Sequence, residues 1–375
     1  VPVPMRMTTR TPSSDEPDRT PGAPREGLPG GQAYLAVDTV PHFARFCRRN
    51  IVLEDGSAFE LETFEETIVG DYFAGCLETL VLLPKKNGKT TLLAALALYH
   101  LCFTPNAACY IAASSRDQAG IMYGQACGFL ERKDPRTGKL LPQARRLRRH
   151  VLLRKGTKTI RSRKDSGFIQ VLAADANTAD GHIPTLALVD ELHRHKDGGA
   201  LYGVLLDGLG PRNGKLITIS TAGSDEESQL GRMRIKALQM PKVEITGAYK
   251  YCRGDDFAAH IWELEPDDDR DDLTVVKRAN PASWQTIDRL RQRRDSPSMT
   301  PWRWARFACN VWLKGEGKWL QSAKELYAAR RLWEMPPKGS PIFVAWDPSW
   351  SYDSTAIVGL QVVSHEPRTV RVWPI

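Results

Sequence analysis

The stretch that most constrains this chain runs Leu80-Val81-Leu82-Leu83-Pro84-Lys85-Lys86-Asn87-Gly88-Lys89-Thr90-Thr91 and leads into an apolar helical run. A buried strand, a tight basic turn, Gly-Lys-Thr and a helix form the layout of a phosphate-binding loop. In that layout, backbone N–H groups and a lysine cradle the outer phosphates of a nucleotide, and a hydroxyl joins the shell of a Mg²⁺ ion. The first glycine of the usual pattern is replaced by Leu83. A second stretch, Leu186-Ala187-Leu188-Val189-Asp190-Glu191, reads as an apolar strand ending in two carboxylates. There an aspartate orients Mg²⁺ and a glutamate polarises the attacking water. Together the two stretches predict ATP hydrolysis.

The residue types assign the roles. Lys89 is the phosphate lysine and Thr90 the metal-facing hydroxyl, with Thr91 beside it. Lys85 or Lys86 adds positive charge over the γ-phosphate, and Asn87 and Gly88 complete the turn. Asp190 is the metal-orienting acid and Glu191 the water-activating base. Ser220-Thr221 ends the next predicted strand, where hydroxyls either sense the γ-phosphate or cap a helix. His193 and His195 flank Arg194, but no third metal ligand accompanies them, so they read as loop.

The chain has 375 residues, 42% of them apolar, which is enough for a large core. Its formal charge is +8, which favours an anionic partner such as nucleic acid. No long uncharged apolar run predicts a membrane span, and the N-terminus lacks the apolar core of a signal peptide. A cytoplasmic location is therefore expected. Seven cysteines without a Cys-x-x-Cys pair suggest reduced, mostly buried thiols.

Residues 1–31 are rich in Pro, Thr, Ser, Arg and Gly and read as a flexible tail. Helical spacing follows in Val40, Phe43 and Phe46, and again in Phe64, Ile68, Tyr72 and Phe73. Strands are predicted over 77–83, 109–113, 168–173, 186–189 and 216–220, with helices over 91–101 and from Ser114 or Ser115 to about 132. Strands alternating with helices predict an α/β fold whose mainly parallel sheet is covered on both faces. Residues 136–164 carry twelve Lys and Arg and no acid. They read as a solvated hairpin and loop, or as a phosphate-facing surface. Residues 263–272 are acidic and read as an exposed loop. All ten tryptophans lie beyond residue 260, so the last third differs in composition from the rest. These shifts place an ATPase core at 32–224, a linker or lid subdomain at 225–337 and a further domain at 338–375.

That last segment reads as three strands in a row, over 342–347, 355–363 and 369–373. Asp347 ends the first, and Asp353 follows in the turn. A carboxylate there, with the next strand running back, is how a two-metal nuclease of the ribonuclease H type begins. Such a site needs three or four converging acids, and a hairpin aspartate is the plainer reading.

On these residues the chain resembles the large subunit of a tailed-phage terminase of the HK97-like branch. The likeness runs in order through residues 84–90, Tyr110-Ile111-Ala112-Ala113-Ser114-Ser115-Arg116-Asp117-Gln118, Asp180-Gly181-His182-Ile183-Pro184 into Val189-Asp190-Glu191, Ile219-Ser220-Thr221-Ala222-Gly223, and Trp346-Asp347-Pro348-Ser349. It implies an additional-strand P-loop ATPase, a linker subdomain, and the opening strands of a ribonuclease H-like nuclease with Asp347 as a metal ligand for Mg²⁺ or Mn²⁺. The implied partners are double-stranded DNA, a terminase small subunit, a portal protein and further copies in a ring, with no membrane. Glu65 stands where the family places an adenine-contacting glutamine. Asp180-Gly181 replaces the family's Arg-Gly, so the arginine that acts on a neighbour's ATP lies elsewhere, with Arg212 the candidate. The later nuclease acids do not occur before Ile375, so a truncated nuclease is expected. A helicase-like ATPase and a non-catalytic prophage remnant stay open as alternatives.

Overall fold

The computed structural model describes residues 37–172, 181–195, 199–313, 338–347, 356–365 and 368–374. The expected tail at 1–31, Asp180 and Asp353 lie outside them. Thr39 caps α1 (Val40–Asn50) by accepting from the His42 N–H, and Phe43, Phe46 and Cys47 form its buried stripe. α2 (Thr63–Phe73) leads to β1 (Glu78–Leu82) and then to α3 (Lys89–Phe103). β2 (Ala108–Ala113) is followed by α4 (Arg116–Glu131), which Ser115 caps through the Gln118 N–H.

Next come α5 (Pro142–Arg148), β3 (Val151–Arg154), β4 (Thr159–Ser162), β5 (Phe168–Val171) and β6 (Leu186–Asp190). They are followed by α6 (Ala200–Asp207), β7 (Lys215–Ser220), α7 (Gln229–Leu238), β8 (Lys242–Thr246), β9 (Tyr249–Arg253) and β10 (Phe257–Trp262). Three short helices, α8 (Leu273–Arg278), α9 (Ile287–Arg294) and α10 (Pro301–Phe307), make a compact unit after the sheet.

Ten strands form one sheet in the order β3-β4-β5-β2-β6-β7-β1-β10-β9-β8. The run from β5 to β10 is parallel throughout, and an antiparallel hairpin closes each edge. β7 lies between β1 and β6, the additional-strand arrangement, so the lysine turn and the Asp-Glu pair are two strands apart. Alternation along β1 sends Val81 and the following Leu83 into one core and Leu80 and Leu82 into the other. The first core lies under α1 to α4 and the second under α6 and α7. The sheet is thus covered on both faces.

Three regions differ from expectation. The sheet continues past residue 224, because β8 to β10 pair onto β1. Charged Lys242 and Glu244 on an exposed edge strand hide its strand character, as edge strands often do. Residues 136–164 contain a helix, α5, as well as the hairpin β3–β4, and the hairpin belongs to the sheet. Of the acidic run, Glu263 is buried rather than exposed, held by Arg234 and Lys250. A separate antiparallel sheet contains β11 (Phe343–Asp347), β12 (Ala356–His365) and β13 (Arg368–Pro374). Among the described residues no helix is long and apolar enough to cross a membrane.

Candidate active site

The ends of β1, β6 and β7 converge because parallel strands deliver their C-terminal residues to one edge. β1 releases the turn 83–88, β6 ends at Asp190 and β7 ends at Ser220; Leu82 is in register with Ser220, and Asp190 with Ile219.

The turn closes with Lys86 and Gly88 in left-handed backbone, at φ 75° and 78°. Gly88 is required twice over, since a Cβ there would lie 3.0 Å from the Trp284 indole and 3.3 Å from Glu65 Oε1. Lys89 opens α3 and is buried, with Nζ donating to Leu83 O at 2.5 Å and Pro84 O at 3.0 Å. Burial pushes its ammonium down to about 8, against the attraction of Glu191 and Asp190. The same α3 N-terminus carries Thr90 and Thr91, both half-buried. Free N–H groups at a helix start and a lysine underneath suit a phosphate.

Asp190 is buried, and burial followed by the charge of Glu191 pushes its carboxyl up to about 7, opposed by Lys89. Glu191 sits in left-handed backbone at φ 51°, a strained state for this residue type that ends β6 abruptly. Its Oε2 lies 3.1 Å from His193 Nδ1 yet is misaligned for a hydrogen bond, so it is a buried carboxylate oxygen without a donor. An acid pair of this kind, with an unsatisfied oxygen beside a phosphate-type loop, fits Mg²⁺ and its water shell.

His193 belongs to the site, although the sequence reads it as loop. Its Nδ1 stands 3.0 Å from Ser220 Oγ and 3.5 Å from Thr221 Oγ1, so its ring lies between Glu191 and the end of β7. Burial, then the cation of Arg306, holds its imidazole far below the ordinary value and therefore neutral. His195 instead places Nε2 3.3 Å from Asp190 O and forms no metal pair with it. Ser220 and Thr221 are fully buried, and no helix starts at them, so the capping alternative falls away.

Glu65 is brought to the turn by α2. Its Oε2 accepts from the Glu62 N–H at 3.0 Å, while Oε1 is buried without a partner beside Gly88. Burial pushes this carboxyl up to about 8. Asn87 faces inward to Asn280, and Lys86 is exposed while its carbonyl accepts from Trp284 and Gln285. Lys85 lies over the Phe307 ring, with Nζ 3.8 Å from the centroid. These partners from 280–310 carry no motif, and only their tryptophan and arginine content marked the region.

Arg212 is not brought to this site. It precedes β7, at the end of the strand opposite Ser220, and donates to Asn106 O at 2.8 Å. Asp347 closes β11 in register with Ala356, on the separate sheet. Among the described residues no three His, Cys, Asp or Glu side chains gather as a metal site.

Residues 73–237 match the family model "Terminase large subunit, ATPase domain". No curated protein matches the chain by sequence. The large terminase of bacteriophage HK97 is similar in fold, with 19% identity and a TM-score of 0.61 over 90% of this chain and 67% of that one. The large terminase ATPase domain of Thermus phage P74-26 aligns with 14% identity and a TM-score of 0.47, over 68% of this chain and 95% of that one. The large terminase of a thermophilic bacteriophage, in complex with ATP-γ-S, aligns with 10% identity and a TM-score of 0.43, over 80% of this chain and 64% of that one. At those two scores the likeness carries no weight, and the fold rests on the first.

Proposed function

We propose that this chain is the ATP-hydrolysing motor of a phage DNA-packaging terminase. The observation that carries the reading is the meeting of Lys89, Asp190 and the unsatisfied Glu191 Oε2 at one edge of the sheet. The N–H groups of the turn and the α3 N-terminus bind the phosphates, and Lys89 turns from its two carbonyls to the outer phosphates. Thr90 and Asp190 would hold Mg²⁺, which would neutralise phosphate charge when bound. Glu191 accepts a hydrogen bond from the attacking water and aims it. His193 links that carboxylate to Ser220 and Thr221, which register loss of the γ-phosphate. Glu65, set against Gly88 by α2, is the residue assigned to the base. The sheet from α1 through β10 is the ATPase core of this motor, and the three-helix unit α8–α10 after it is the linker subdomain. Its partners are double-stranded DNA, a small subunit, a portal and other copies in a ring in the host cytoplasm. The strands from residue 343 open a ribonuclease H-like nuclease, with Asp347 as one metal ligand for Mg²⁺ or Mn²⁺.

The test is a pair of variants. Lys89→Ala is expected to weaken ATP binding. Glu191→Gln is expected to bind ATP as the parent does and lose turnover by about a hundredfold or more, because only the water-directing carboxylate is gone. Parent-rate hydrolysis by Glu191→Gln would remove Glu191 from the mechanism.

A further inference from the structure

The unit α8–α10 has its own small core, built on Val276, Leu290, Trp304 and Cys309. It grips the site at two places. At the lysine turn, Phe307 O accepts from the Lys85 N–H at 3.0 Å, and Trp284 Nε1 donates to Lys86 O at 2.8 Å. At the end of β7, both backbone groups of Ala222 are taken. Its N–H donates to Asn310 Oδ1 at 2.7 Å, and its C=O accepts from Arg306 Nε at 2.8 Å. Trp312 also closes on Gly223, where a Cβ would lie 2.7 Å from the ring.

Arg306 and Asn310 are buried, at 5% and 0% exposure. The Arg306 guanidinium also lies over the Trp302 and Phe307 rings, at 5.1 and 5.3 Å, so the bond to Ala222 O is made by a side chain itself packed into α10. Arg306 and Phe307 are also neighbours on α10, so the helix that holds Ala222 holds Lys85 too. Movement of 220–223 therefore cannot occur without load on α10, and through Phe307 on the lysine turn.

We propose that Arg306 and Asn310 are positioning residues for hydrolysis. They tie the segment after Ser220-Thr221 to α10, so that loss of the γ-phosphate moves the three-helix unit as a body. The inference rests on the ATPase reading above. It adds a mechanical link, built from two buried residues on and just after α10.

The test uses the full chain. Arg306→Lys keeps the buried charge and loses the Nε–H aimed at Ala222 O. Asn310→Ser keeps a short polar group and loses the bridge between Ala222 N–H and Trp262 O, which Asn310 Nδ2 meets at 2.8 Å. In either variant that melts cooperatively, kcat is expected to fall by about tenfold while KM for ATP changes by less than about threefold. Hydrogen exchange supplies the readout that a merely structural role would not move. In the parent, amides of 301–313 are expected to differ between ATP-γ-S and ADP. In the variants that difference is expected to vanish, while the one at 84–91 remains. A folded variant that keeps the parent kcat, or keeps the nucleotide difference at 301–313, overturns the link and leaves the ATPase reading standing. A parent that hydrolyses no ATP overturns both.

Discussion

Asn87 and Asn280 meet side chain to side chain, 193 residues apart in sequence, with Asn87 Nδ2 donating to Asn280 Oδ1 at 2.9 Å. Asn280 in turn donates to Val276 O and Ala308 O, and the Ala282 N–H returns a bond to Asn87 Oδ1. The lysine turn is thus held from below by a buried amide pair as well as by its own backbone.

Asn280→Ala removes that pair and takes the Asn280 donor from the buried Ala308 O. Each orphaned group costs about 1–3 kcal/mol. A lower melting temperature and weaker nucleotide binding are expected together, by calorimetry and by titration with a fluorescent ATP analogue. An unchanged melting temperature would show that the turn holds without Asn280.

Glu65 makes stability depend on pH. Its folded carboxyl, pushed up to about 8 by burial, stays protonated where the unfolded chain, at about 4.3, has already ionised. Its contribution is complete below pH about 4.3 and is lost as pH rises towards 8. Glu65→Gln lacks this titration. The melting temperature of the variant relative to the parent is therefore expected to climb between pH 5 and pH 8. Asp190 titrates in the same window in both proteins and cancels in the difference. A difference that stays flat with pH would mean the carboxyl finds a donor that lowers its pKa.

The exposed arginines of α5 and its C-cap, Arg145, Arg146, Arg148 and Arg149, stand on one side of a helix whose Ala144 and Leu147 face inward. If this is the DNA-facing surface, binding to duplex should be independent of sequence and fall with salt at a slope of about −0.9 per neutralised phosphate. Reversing the four arginines to Glu is expected to flatten that slope, measured by fluorescence anisotropy across a salt series. An unaltered slope would place the DNA surface elsewhere. Arg146 already donates to Arg49 O, so it is expected to contribute least when reversed singly.

Asp347 ends β11, and two-metal cleavage needs several carboxylates to fix both ions. These 375 residues are expected to leave supercoiled plasmid uncut in Mg²⁺ or Mn²⁺. A version carrying further acids of a ribonuclease H-like fold should cut, and Asp347→Ala should abolish that. Cutting by the 375-residue chain that disappears with Asp347→Ala would show that fewer acids suffice.

The sequence by itself determined the lysine turn after β1, the Asp-Glu strand, the hydroxyl pair at the end of β7 and a sheet covered on both faces. Each of these is local: an apolar run of strand length, a glycine in a turn, a carboxylate at a strand end, or an N-cap such as Ser115. Tertiary structure decided what depends on distant partners. It brought His193 to Glu191 and Ser220, set Glu65 Oε1 against Gly88, and left Arg212 at the far end of β7. It also added β10 beside β1, whose pairing joins residues some 180 apart. The three-helix unit shows the limit best. Arg306 and Asn310 have no motif and no periodicity to mark them, because their role is to satisfy the backbone of Ala222. A backbone N–H and C=O are present in almost every residue, so only the fold selects which pair is buried and must be matched.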